Sequence, residues 1–359
     1  MPTSRNSQPD VGGVPAPPTC SFASDNTAGA SPEVLAALAA ADGPAALAYG
    51  ADRWTAAVTD AFAERCGQPV DVLLCWGGTG ANVVGVAAGL ESWEAVLCAD
   101  TAHLVTDEGG APARMTGALV LTEPNVDGKL VPEAIEARAA WLGNEHHPQV
   151  GVVSISQATE LGTVYTPDEI AALADGAHRH GMRLHVDGAR LANAVAAHDS
   201  DLRAMVVDTG VDIVTWGATK NGGIYGEAVL VLDPSIAGRA RFLRKQLGQL
   251  PSKMRYIAAQ VLALLDDDRW ITQAAHANAM ASRLAGAVAG IDGVEVVRPP
   301  EANAVFARLP VDRIDALQDW SFFWDWDRSD GLVRWMTHAA TTPDDVDRFA
   351  AGVAAIVGR

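Results

Sequence analysis

The regular alternation of short apolar runs with alanine-rich stretches constrains this chain more than any other feature. Runs of strand length fall at Val70–Cys75, Ala95–Ala99, Ala118–Leu121, Val150–Ile155, Arg183–Val186, Asp212–Thr215 and Ala228–Leu232. Between them the spacing is helical, most clearly over Ala81–Leu90, Pro132–Leu142, Pro167–His180 and Leu202–Val207. The third of these helices opens on Thr166 as an N-cap, with Pro167 at the first helical position. Strands joined by helical crossovers run parallel and need cover on both sides, so the spacing predicts an α/β fold with a mostly parallel central sheet flanked by helices.

After Asp233-Pro234 the texture changes. A long helical region reaches Ala289 and carries Arg239, Arg241, Arg244, Lys245, Lys253 and Arg255. Strands near Val294–Val297, Ala304–Arg308 and Val333–Thr337, with helices over Asp312–Gln318 and Pro343–Val357, then predict a smaller α+β unit. The expected division is a mobile arm over 1–21, a large domain over 22–238, and a helical linker with a small C-terminal domain over 239–359. The arm is expected because the opening residues are rich in Pro, Gly, Ser and Asn, which places the start of order near Phe22.

Composition excludes several classes. The 26 basic and 44 acidic residues give a net charge of -18, which opposes non-specific binding to nucleic acid or anionic membrane, so neither is expected as a partner. No run is long enough to span a bilayer, and Met1 to Thr19 lacks the apolar segment of a secretory signal, which points to the cytoplasm. Cys20, Cys66, Cys75 and Cys98 are widely spaced, the last two inside apolar runs, and read as buried thiols rather than a disulfide frame or a zinc site.

Ligands of an open parallel sheet gather beyond the carboxyl ends of its strands, and three loops land there. In Trp76-Gly77-Gly78-Thr79-Gly80-Ala81-Asn82, small residues between a strand and a helix let backbone N–H groups and the Thr79 hydroxyl surround an anion. Alone, such a turn could be a plain connector, and it lacks the lysine of a nucleotide P-loop. In Asp187-Gly188-Ala189-Arg190, the aspartate could be a helix cap or could hold a protonated ring nitrogen, with Arg190 on the same rim for a phenolate oxygen or a substrate carboxylate. In Thr219-Lys220-Asn221-Gly222, a lysine sits in a glycine-lined turn directly after a strand. A solvated turn lysine is one reading of it; an imine-forming lysine on a carbonyl cofactor is the other. A phosphate cup, a pyridinium partner and an imine lysine, in that order on successive strand ends, together specify pyridoxal 5'-phosphate (PLP).

With those residues in view, the chain resembles the low-specificity L-threonine aldolases, PLP enzymes of the aspartate-aminotransferase fold group (fold type I). The resemblance runs from about Phe22 onward through Phe22-Ala23-Ser24-Asp25-Asn26, Ala48-Tyr49-Gly50, Gly78-Thr79-Gly80-Ala81-Asn82, Thr101-Ala102-His103, Asp107-Glu108-Gly109-Gly110-Ala111-Pro112, His185-Val186-Asp187-Gly188-Ala189-Arg190, Thr219-Lys220-Asn221-Gly222 and Lys253-Met254-Arg255. It implies that His103 stacks on the cofactor ring and faces the substrate's β-hydroxyl. It also implies that Ser24 and Arg334 hold the substrate carboxylate with Arg190, that Arg255 reaches the cofactor phosphate, and that Tyr49 lines the site, the last two across a subunit boundary. A homo-oligomer is therefore implied, a dimer of dimers (homotetramer) with sites at subunit interfaces, although two subunits and four are not distinguished. Where many relatives carry a second histidine near the β-hydroxyl, this chain has Glu160, which could accept the proton, orient His103 or serve as a structural carboxylate. The implied activity is aldol cleavage of L-threonine or L-allo-threonine to glycine and acetaldehyde, without a metal. Other PLP lyases of β-hydroxy-α-amino acids, acting on phenylserine or 3-hydroxyaspartate, are the alternative, and a cofactor-binding scaffold without turnover is the non-enzymatic one.

Overall fold

The computed structural model describes residues 13–43 and 45–358. Its larger sheet is built from β1 (Asp71–Cys75), β2 (Glu94–Ala99), β3 (Val120–Glu123), β4 (Gln149–Ser156), β5 (Arg183–Gly188), β6 (Ile213–Trp216) and β7 (Glu227–Val231), in the order β1-β7-β6-β5-β4-β2-β3. Strands β6, β5, β4, β2 and β3 pair in parallel, and β7 is antiparallel to both its neighbours. The central strands β6 and β7 are buried along their whole length, which is why they read as unbroken apolar runs rather than as alternating ones. A smaller antiparallel sheet contains β8 (Glu295–Val296), β9 (Ala304–Arg308), β10 (Trp324–Asp327) and β11 (Leu332–Met336), in the order β10-β11-β9-β8.

Each sheet has its own core. Leu74, Leu97, Val153, Leu184, Val214 and Trp216 belong to the large one; Phe323, Val333, Trp335, Phe349 and Val353 belong to the small one. Helix Arg269–Val288 spans the two, burying Trp270 and Ala274 in the first and Ala281, Leu284 and Val288 in the second. The Trp216 ring, at the end of β6, meets Phe62 at 5.4 Å and Trp270 at 5.7 Å, so two helices clamp the strand that precedes Lys220.

Several elements differ from the sequence expectation for identifiable reasons. The long helical region after Pro234 is three helices, Pro234–Gln246, Arg255–Leu265 and Arg269–Val288, broken where Gly248 turns left-handed (φ +73°) and where Asp267 and Asp268 adopt φ of +51° and +48°. The short helix expected over Leu202–Val207 is a π-helical turn over Arg203–Val207. Strand β10 carries no apolar run and was not expected. Of the expected arm, residues 1–12 lie outside the described residues. Residues 13–21 are tied to the small unit: the Thr19 backbone and hydroxyl donate to the Asp345 carboxylate at 2.8 and 2.7 Å, and Trp320 Nε1 donates to the Pro15 carbonyl at 2.8 Å.

Among the described residues no helix is long and apolar enough to cross a membrane. All four cysteines are free thiols, and burial pushes Cys66 up to about 11 and Cys20, Cys75 and Cys98 up to about 12. They therefore stay in the thiol form at neutral pH.

Candidate active site

A cleft of about 650 Å³ opens where the carboxyl ends of the parallel strands face the small sheet. Four parallel strands of the large sheet supply its floor: β2 leads to Thr101 and His103, β4 to Ser156 and Glu160, β5 to Asp187 and Arg190, and β6 to Lys220. Ser24 enters from the N-terminal segment, and β10 and β11 of the small sheet contribute Trp324, Trp326 and Arg334.

The glycine loop after β1 is the first turn of helix Gly78–Gly89. Its N-cap, Gly77, offers no side chain to the free amides, and a Cβ at Gly77 or Gly78 would meet nothing within 4 Å. Gly78 and Thr79 line the cleft, while Gly80 faces the Gln249 side chain, whose oxygen accepts from the Trp76 amide at 3.2 Å. Uncapped first-turn amides with open space above them form an anion cradle.

At the end of β5, Asp187 accepts from the Ala189 amide at 3.0 Å through one oxygen and from Asn82 Nδ2 at 2.8 Å through the other. The same Asn82 nitrogen donates to Glu108 at 2.8 Å, and that Glu108 oxygen lies 3.2 Å from His103 Nδ1. One amide thus separates two buried carboxylates, and the ring nitrogen of His103 with the carboxylates of Glu108 and Asp187 lies within 4.8 Å. The hydrogen bond to Glu108 raises the His103 pKa above its usual 6.5, against burial and the charge of Lys220.

Glu160 is tied to the backbone of the site. Its Oε1 accepts from the His103 amide at 2.7 Å and from the Ser156 hydroxyl at 2.6 Å, and burial raises its pKa. Arg190 is held in a two-toothed ion pair, Nε and Nη2 donating to the two oxygens of Asp25 at 2.7 and 2.9 Å. Burial alone would raise the Asp25 pKa; the charges of Arg190 and Lys220 and the hydrogen bonds from Arg190 and Asn303 outweigh it and bring it to about 2.

Lys220 stands on a short turn fixed from below. Asn221 donates to the Trp270 carbonyl at 2.7 Å, Gly222 adopts φ +93°, and the Ser31 amide donates to the Gly222 carbonyl at 2.9 Å. The Glu227 carboxylate accepts the Ala218 amide beneath it. The positive charge of Arg190, followed by burial, lowers the Lys220 pKa, which favours the neutral amine that attacks a carbonyl. Across the cleft, Arg334 is pushed down to about 10 by burial and by Arg190, its guanidinium lies 5.0 Å from the Trp326 ring, and its Nε is buried without a hydrogen-bond partner.

The residues therefore fit PLP: a cradle for a phosphate, a carboxylate fixed by two donors, a buried lysine of lowered pKa, and partnerless buried polar atoms at Arg334 Nε and Thr101 Oγ1 facing the same space.

Comparison with known proteins agrees. A model of the beta-eliminating lyase family matches residues 21–311. A low specificity L-threonine aldolase of Pseudomonas aeruginosa is 41% identical over 308 residues, covering 85% of this chain and 89% of that protein. The chain belongs to the beta-eliminating lyases, among their low-specificity threonine aldolases. A yeast member from Saccharomyces cerevisiae is 27% identical over 78% of this chain and 71% of that protein. The structure of a Leishmania major threonine aldolase superposes with a TM-score of 0.87 at 32% identity, over 94% of this chain and 99% of that one.

Not every residue expected in this lyase site lies in the cleft. Tyr49 is exposed, its amide donating to the Ser252 carbonyl at 2.9 Å and its ring 5.3 Å from the Lys245 ammonium. Arg255 starts helix Arg255–Leu265, stacked 5.1 Å from the Tyr256 ring. Both stand outside this chain's own cleft. Conversely, Asn82, Glu108, Asp25 and Glu227 are buried polar members of the site for which sequence reasoning assigned no role. Asn82, Glu108 and Asp25 lie inside quoted motifs, but their pairings link positions 26, 105 and 165 residues apart.

Proposed function

We propose that this chain cleaves β-hydroxy-α-amino acids, L-threonine and L-allo-threonine among them, to glycine and an aldehyde, with PLP tethered to Lys220. The observation that carries this reading is the convergence of Lys220, Asp187, His103 and Arg334 on one cleft. PLP, when bound, supplies the sink that takes the electron pair of the broken Cα–Cβ bond.

The chain's residues do the rest. The amides of the Gly77–Gly80 turn and the Thr79 hydroxyl would hold the phosphate, and Asp187 would keep a ring nitrogen protonated. Arg334 and Ser24 grip the substrate carboxylate; Arg190, committed to Asp25 through two of its nitrogens, contributes Nη1 and its charge. That grip would fix which bond of Cα is presented for cleavage, a matter of orientation more than of affinity. His103 would lie against the cofactor, and because Nδ1 is engaged with Glu108, Nε2 is the atom left to take the β-hydroxyl proton as the Cβ–O bond becomes a carbonyl. Glu160 fixes the His103 backbone and takes no proton itself.

The exposed position of Tyr49 and the placement of Arg255 outside the cleft support an assembly in which each subunit completes a neighbour's site, as in a dimer of dimers. The separate cores support a division into a large PLP-binding unit and a small C-terminal one. Free thiols and a charge of -18 suit the cytoplasm.

The test is direct. Threonine incubated with the holoenzyme should yield equal amounts of glycine and acetaldehyde, and borohydride reduction should fix the cofactor on the peptide containing Lys220. Lys220→Ala should lose both; cofactor fixed on another lysine would refute the assignment.

A further inference from the structure

Between the carboxylate that would meet the cofactor ring and the carboxylate that meets His103 stands a single nitrogen, Asn82 Nδ2. Asn82 is buried in the second turn of helix Gly78–Gly89. It donates to Asp187 Oδ2 and to Glu108 Oε1, each at 2.8 Å. An amide nitrogen carries two hydrogens splayed apart, so each carboxylate takes one. The amide cannot be turned round, because its oxygen would then face two carboxylates and its hydrogens would have no acceptor. In the observed orientation Oδ1 is buried without a partner among the described residues. A buried orphan acceptor is unfavourable, so the two carboxylates, and not the surroundings of Oδ1, decide how this side chain stands.

Packing does not ask for asparagine here. The neighbours Ala81, Val83 and Val84 in the same helix are buried and apolar, and leucine has a similar shape. What the place requires is two hydrogens on one short, uncharged group. Serine offers one and leucine and aspartate offer none, while a cation would neutralise the carboxylate that a protonated ring nitrogen needs.

His103 is the third member of the chain of contacts, its Nδ1 3.2 Å from the Glu108 oxygen that accepts from Asn82. Lys220, from the turn after β6, and Asp187, from the end of β5, also act on the charge of its ring. Glu160 reaches its amide from the loop after β4, and Arg190 and Arg334 line the same cleft. We propose that Asn82 is a positioning residue of this lyase: one nitrogen yokes the carboxylate that would meet the cofactor to the carboxylate that orients the base, and stabilises the negative charge of both. The inference rests on the aldol-cleaving function proposed above, in which His103 takes the proton. Taking away both donors leaves two neighbouring carboxylates with less to offset their charge, so the cluster holds its proton to higher pH.

Wild type is compared with Asn82→Leu, Asn82→Asp and the double variant Asn82→Leu/Glu108→Gln. Two titrations are read: the acid limb of kcat/KM in the holoenzyme, and the His103 imidazole by NMR in the full chain freed of cofactor, its signals identified by their absence from His103→Ala. In Asn82→Leu both should move to higher pH by about one unit, the size expected for losing a charge-assisted hydrogen bond. Asn82→Asp keeps the shape and adds an acid, so it should move them the same way. Glu108→Gln in the leucine background should bring both back down. Titrations left in place while turnover falls would make Asn82 a packing residue and overturn the proposal. So would a downward shift, or an upward one that Glu108→Gln does not reverse. If Asn82→Leu does not fold, Asn82→Asp decides by the same two readings. If wild type released no aldehyde, the aldolase reading would fail, while the NMR titration would still decide for or against Asn82.

Discussion

His103 is held from two directions by two different glutamates, and the difference separates their duties. Glu108 meets the ring at Nδ1 and Glu160 meets the backbone amide. Under the proposed mechanism His103 is the base, and a histidine must be neutral to accept a proton, so kcat/KM should fall on the acid side as His103 becomes charged. The Glu108 hydrogen bond raises that pKa above 6.5, which moves the acid limb upward from its ordinary position. Glu108→Gln removes the charge that stabilises the imidazolium, so the limb should move to lower pH, whereas Glu160→Gln should leave its position in place. His103→Ala should cost about 100-fold or more in kcat. Profiles of kcat/KM against pH for the three variants check this; a limb that moves with Glu160 and not with Glu108 would exchange the two roles. The low thresholds of Asp25 and Lys220 belong to the same cluster, in which Arg190 both holds Asp25 ionised and depresses Lys220.

At the scale of elements, the site depends on how closely the ends of β5 and β6 approach. Gly217 follows β6 directly against the loop that follows β5, and a Cβ there would stand 2.6 Å from the Ala189 carbonyl oxygen, a backbone atom that cannot swing aside. Gly217→Ala must therefore part the loop bearing Arg190 from the loop bearing Lys220. We expect about 1–3 kcal/mol of destabilisation by urea unfolding and a loss of turnover larger than that fall in stability explains, because a displacement of about 1 Å at reacting groups can cost on the order of 100-fold. By contrast, the atoms nearest a Cβ at Gly80 are the end of the Gln249 side chain, which can swing aside, so Gly80→Ala should be tolerated far better in stability.

This contrast also explains what the sequence could reveal. The inner strands β2, β4 and β6 were legible because burial along most of their length leaves mainly apolar runs, and Lys220, Asp187 and the glycine turn were legible because each sits at a strand end. Strand β10 was not, because its exposed alternation Trp324-Asp325-Trp326-Asp327 contains as many acids as apolar groups. Asn82, Glu108 and Asp25 were visible as letters, but their chemistry comes from partners brought close only by the sheet order.

At the scale of the whole molecule, the N-terminal segment joins the small unit to the cleft. Thr342 caps helix Pro343–Val357 in a capping box with Asp345, whose carboxylate accepts the Thr342 amide and hydroxyl at 3.1 and 2.6 Å, and the same carboxylate takes the Thr19 amide and hydroxyl. Phe22, next along the chain, is buried against Phe349 at 4.4 Å and its carbonyl accepts the Met336 amide at 2.8 Å; Ser24 and Asp25 follow at once, in the cleft. Asp345→Ala removes the returning half of the capping box, leaves the Thr342 hydroxyl on the amide at position 345, and orphans the Thr19 donors, so it should cost about 1–3 kcal/mol of stability. Because the loosened segment carries Ser24, proposed to meet the substrate carboxylate, and Asp25, which pairs with Arg190, KM should rise more than kcat falls, and Asp345→Asn, which keeps an accepting oxygen, should recover part of both. Urea midpoints together with a KM-against-kcat comparison for the two variants decide it. If Asp345→Ala loses stability with KM unchanged, the segment is a fastening of the small unit alone and Ser24 is positioned by other contacts.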